Sequence, residues 1–136
     1  GILHDIGKII FIKNMPEIYN EIYKQHIQDG IPLYMLENQH FGVNHAEVGG
    51  CIMETWGFSD NSINSIIFHH SFDPVLENTF NCVHSVYFAN ILEKNPEYFS
   101  GIDMTKPEIK YLQKLNILEK LQEWRKYTKF AGEKRE

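Results

Sequence analysis

Gly1-Ile2-Leu3-His4-Asp5-Ile6-Gly7-Lys8 sets an imidazole and a carboxylate side by side within an apolar run. Together these two ligand types suit divalent Zn, Fe, Mn or Ni better than Ca, which takes oxygen donors. Ile9, Ile10 and Phe11 continue the apolar run, so the pattern predicts a helix over residues 2–13. Adjacent helical residues project about 100° apart, which would let His4 and Asp5 reach one ion beside that helix. No N-cap residue precedes this helix, and the expectation is a chain cut within a domain, with helices ahead of Gly1.

Helix punctuation runs through the rest of the sequence, and no sustained period-2 alternation interrupts it, so the fold class is all-α. Pro16 opens a second helix with an apolar face of Ile18, Tyr19, Ile22, Tyr23 and Ile27, which stops at Asp29-Gly30. Pro32 opens a third. Asn44 with Glu47 three residues later forms a capping box, and the helix it starts carries Val48, Cys51, Ile52 and Thr55 up to Trp56-Gly57. Ser59 or Asp60 caps the next helix, which runs through Ile63, Ile66 and Ile67 to His69-His70. A loop at Phe72-Asp73-Pro74, a helix over 79–94, a turn-rich stretch over 95–103 and a second capping box at Thr105 and Glu108 follow. Residues 104–136 read as a basic helical extension of a single domain spanning 1–136.

At 136 residues and 43% hydrophobic content the chain is long enough for one domain with a sizeable core. Charge is unevenly placed. Residues 1–100 hold four Lys against twelve acids, whereas residues 101–136 hold nine Lys or Arg against six acids. An acidic body argues against a nucleic-acid surface, where Lys and Arg supply most of the affinity. Nothing approaches the roughly 18 apolar residues of a membrane span, and the start lacks the basic segment of a signal peptide, so a cytoplasmic, membrane-free protein is expected. Cys51 and Cys82 lie in apolar-patterned segments without CxxC spacing and read as buried thiols.

Three more histidines bear on the metal reading. His45 falls at the first turn of the helix that Asn44 caps, and His69 and His70 fall at the end of the next. With His4 and Asp5 they supply the ligand count of a one-metal or two-metal site. His26, His40 and His84 read as ordinary structural residues.

These motifs in order, Gly1 to Lys8, Gly42-Val43-Asn44-His45-Ala46-Glu47-Val48-Gly49-Gly50, Trp56-Gly57-Phe58 and Ile66-Ile67-Phe68-His69-His70, resemble HDOD domains, relatives of the HD metal-dependent phosphohydrolases. The resemblance covers roughly residues 1–95 and implies an HD-like helical bundle. In catalytic HD and HD-GYP relatives the residues matching His4 and Asp5 bind metal, and positions like His45, His69 and His70 complete the shell. The resemblance implies that an ion, if this chain holds one, would be Fe, Mn, Ni, Zn or Mg. Lys8 matches a lysine that faces the substrate phosphate, where a cation stabilises developing charge.

Three departures point away from catalysis. The histidine-bearing helix that precedes the doublet in catalytic relatives is absent from this sequence. Asn90 stands where they carry a ligand aspartate, and Ser71-Phe72-Asp73-Pro74-Val75 replaces the Gly-Tyr-Pro signature of cyclic di-GMP phosphodiesterases. HDOD domains are mostly non-catalytic signalling modules, so the resemblance implies a regulatory domain. Its partners would be other signalling domains or proteins, with homo-oligomers among the arrangements allowed. The alternatives are a metal-dependent phosphohydrolase and a module that holds a nucleotide without cleaving it.

Overall fold

The computed structural model describes residues 2–72, 79–95, 97–99, 103–121 and 123; the predicted loop at Asp73-Pro74 and the end of the basic extension lie outside them. Every regular element among the described residues is helical, as the sequence predicts. The chain divides into two compact units, Gly1–His70 and Ser71–Glu136. Among the described residues no helix is long and apolar enough to cross a membrane.

Five helices build the first unit: α1 (Ile6–Asn14), α2 (Pro16–Asp29), α3 (Leu33–Phe41), α4 (His45–Thr55) and α5 (Asp60–Ile67). Residues 2–5 form a turn rather than the first turn of α1. Asp5 occupies the N-cap position, yet its carboxylate caps no backbone N–H, because it is taken up by Lys8 and the histidines. Pro16 starts α2, and Gly30 ends it in the left-handed region at φ 69°, donating its N–H to the His26 carbonyl.

Only part of the predicted α2 face is covered. Tyr19 and Ile22 are buried, whereas Ile18, Tyr23 and Ile27 are exposed. The reason is geometric: Phe11 stacks on both Tyr19 and Phe41, so α1 and α3 close over the Tyr19–Ile22 stripe alone.

At Asn44 the capping box forms as read. Its side chain accepts from the N–H groups of Ala46 and Glu47, and Glu47 accepts from the Asn44 N–H. Gly7 explains how closely α1 approaches this helix start. A β-carbon there would overlap the carbonyl of His45, so any side chain would push α1 and α4 apart. Further along α4, Gly49 admits Ile66 from α5 and Ile6 from α1, and Gly50 admits Ile67. Small residues thus bring three helix ends together around His45.

In the second unit α6 (Cys82–Lys94) and α7 (Pro107–Lys114) pack with the helical residues 118–121. Phe88, Leu92, Phe99, Ile109, Tyr111, Leu112 and Leu121 form its buried core, each large side chain stabilising by about 1.5–3 kcal/mol. Asn81 caps α6, and His84 supplies the reciprocal acceptor three residues on. The box predicted at Thr105 does not form. Asp103 takes both the N–H and the hydroxyl of Thr105, Lys106 becomes the N-cap, and Glu108 instead accepts the Tyr98 hydroxyl. Cys51 and Cys82 are exposed, contrary to the reading as buried thiols. Cys51 turns away from the Gly49–Gly50 face of α4, and Cys82 sits in the first turn of α6, before its buried stripe begins.

Candidate metal centre

Four residues from three places in the first unit converge. Asp5 comes from the turn before α1, His45 from the first position of α4, and His69 and His70 from the turn after α5. One donor atom from each lies within 4.8 Å of all the others. The Asp5 Oδ1 oxygen stands 3.2 Å from His45 Nε2 and 3.7 Å from His69 Nε2, and His70 Nε2 stands 2.9 Å from His45 Nε2. Ring packing fixes the group further: His69 lies 3.9 Å from His70 centroid to centroid, and Tyr34 stacks on His70 at 4.5 Å.

His4 stands beside this set rather than in it. Its Nε2 is 3.5 Å from the other Asp5 oxygen, Oδ2, and its ring meets His69 edge-on. Lys8 donates to that same Oδ2 at 2.8 Å, so the residue expected to face a phosphate is here paired with Asp5. Asn90, expected at the position of a ligand aspartate, is buried on α6 of the second unit. His26 donates to the Ile31 carbonyl and His40 is exposed, in keeping with structural roles.

The sequence reading missed Glu37. This side chain is fully buried on α3, where it accepts the Tyr19 hydroxyl at 2.7 Å, the His45 backbone N–H at 2.9 Å and His45 Nδ1–H at 2.5 Å. A signal was present: Glu37 falls four residues after Leu33 and four before Phe41, on a helix stripe that otherwise reads as apolar. A lone carboxylate on such a stripe requires buried partners.

Electrostatics follow from these contacts. Burial alone would raise the Asp5 pKa, but the neighbouring His45, His69 and Lys8 side chains outweigh it and hold the carboxyl well below the usual range. For Glu37 burial is likewise overcome, chiefly by His45, and its pKa is lowered. His45 is pushed up despite burial because it bridges the two carboxylates. His69 is pushed down by burial, and nearby His45 and His4 add to that. The ring of His69 donates from Nδ1 to the Ile66 carbonyl at 2.6 Å, which leaves Nε2 as its basic nitrogen.

The donor set fits a divalent ion. Three imidazole nitrogens and one carboxylate oxygen match Zn, Fe, Mn or Ni better than the all-oxygen shell of Mg. Both deep imidazoles, His45 and His69, are anchored through Nδ1 so that Nε2 faces Asp5, the orientation that metal-ligating histidines show. Asp5, His45, His69 and His70 are therefore the residues that would hold an ion.

Comparison with known proteins gives three findings. The family model of the HDOD domain matches residues 1–72. An uncharacterized protein of Treponema pallidum (strain Nichols) is 30% identical over 91 residues, which is 67% of this chain and 18% of that protein's length. No solved structure matches the chain.

Proposed function

The chain belongs to the HDOD domain family, and on that premise we propose that it is a non-catalytic regulatory module of bacterial signal transduction. It acts through protein contacts in the cytoplasm and holds a divalent ion at Asp5, His45, His69 and His70. The observation that carries the contact role is the set of apolar side chains turned outward on the first unit. Ile9 and Ile12 share one stripe of α1 and Tyr23 and Ile27 one stripe of α2, all at least 49% exposed. Exposed apolar groups of this size mark interaction surfaces more often than inert ones when they cluster. An ion at the cluster would tie the turn before α1 to the start of α4 and the turn after α5, making this unit a rigid platform.

A phosphohydrolase is the second reading, favoured by the compact donor set with Lys8 beside it. When bound, a divalent ion supplies Lewis acidity at such a site. Turnover of cyclic di-GMP, other cyclic nucleotides and generic phosphodiesters by the full-length protein, with Mn or Fe added, separates the two. The regulatory reading expects rates at the level of the protein-free blank. Robust metal-dependent turnover abolished by Asp5→Ala overturns it.

A further inference from the structure

Resting on the reading that the cluster holds a divalent ion, we propose that Glu37, braced by Tyr19, is a positioning residue that aims His45 at that ion. Glu37 lies entirely out of solvent, where a carboxylate is tolerated only when its oxygens are fully partnered. Its partners are unequal in what they require. The Tyr19 hydroxyl fixes Oε1, and both nitrogen donors of His45, backbone N–H and Nδ1–H, converge on Oε2.

Starting α4 does not demand that charge. Asn44 already caps the N–H groups of Ala46 and Glu47, and a neutral acceptor would serve the His45 N–H equally well. What the carboxylate adds is a grip on the ring. With Nδ1–H given to Glu37, the imidazole is held with Nε2 directed at Asp5 Oδ1 and His70 Nε2, and the negative partner makes Nε2 a stronger donor to a metal. His69 offers an internal contrast, since the same ring orientation is set there by the neutral Ile66 carbonyl. Glu37 thus completes a carboxylate, histidine and metal chain that runs from Tyr19 through His45 to the cluster.

Calorimetric titration of the full chain with zinc tests this on the wild type, Glu37→Gln and Tyr19→Phe, alongside the thermal midpoint of each metal-free protein. Glutamine keeps an oxygen for the His45 donors, so Glu37→Gln should fold yet bind zinc roughly 10–100-fold more weakly, the range for loss of such a partner. Tyr19→Phe should weaken binding by a smaller factor. Histidine 15N spectra of the zinc-loaded proteins should show the Nδ1–H proton of His45 strongly downfield in the wild type and shifted upfield in Glu37→Gln. Equal zinc affinity and unchanged spectra, with only a lowered midpoint, would reduce Glu37 to a brace for α4 and leave the metal reading intact. A wild type that binds no zinc, Mn, Fe or Ni overturns the metal reading and the positioning role together. If Glu37→Gln does not fold, Tyr19→Phe decides, and wild-type affinity in that variant sinks the proposal.

Discussion

The first unit buries Glu37, His45, Ser65 and His69 among its apolar side chains, whereas the second buries His84 and Asn90 beside a larger centre of Phe88, Phe99, Tyr111, Leu112 and Leu121. Both units also start a helix with an asparagine capping box, at Asn44 and at Asn81. The cap is shared, but what lies behind it is not. Behind Asn44 the buried groups are charged and hydrogen-bonded, and such groups cost desolvation that only exact partnering recovers. Behind Asn81 a buried His84 closes the box, and most of the stabilisation comes from apolar area removed from water. A core of the first kind is kept for what its polar atoms do.

The comparison breaks most visibly in the second unit. Phe88 is almost wholly enclosed, and Phe88→Ala should cost about 3–5 kcal/mol in urea denaturation. The accompanying rise in amide exchange should be largest in α6 and α7. A loss under about 1 kcal/mol would mean this aromatic cluster is not the core that the burial describes.

Next in size is Gly7→Ala, a single methyl placed against the His45 carbonyl. Overpacking of this kind costs typically about 1–3 kcal/mol, and here it should also separate Asp5 from His45 and weaken zinc binding. Calorimetry and thermal melts on the same variant check both effects. Wild-type behaviour in each would show that α1 and α4 need not approach so closely.

Acidification sharpens the contrast through its sign. Glu37 and Asp5 have folded pKa values below their ordinary 4.5 and 3.8, so the stability they contribute is present above those values and lost as pH falls through the folded ones. Neutral, buried His69, lowered from 6.5, adds to the loss on the acid side. His45, raised from 6.5, contributes fully below that value and so does not reverse the trend there. Hydrogen exchange of the metal-free protein below about pH 4.5 should therefore accelerate in α3 and α4 before α6, and Glu37→Gln should flatten that dependence. Acceleration led by α6 would contradict it.

Much of this fold is written in local signals. Pro16, Gly30, Asn44 and Glu47 act within their own turns, so α2 and the start of α4 fall where the sequence places them. Asp5, His45, His69 and His70 were legible as metal-ligand types at element ends, and their convergence follows from the helix pairing. Glu37 was not singled out, because its role depends on Tyr19 and His45, brought to it by tertiary packing. At Asn81 the box went unread since a histidine, not Glu or Gln, supplies the returning acceptor. Thr105 misled for a related reason: Asp103, two residues earlier, competes for the same groups.

The central claim is that the polar core of the first unit exists to hold a metal ion, and elemental analysis with zinc titration of the full-length protein tests it most directly. The account predicts one tightly held divalent ion per chain, absent from a folded Asp5→Ala variant. A folded wild type that binds none, or an Asp5→Ala variant that binds as tightly as the wild type, would contradict it.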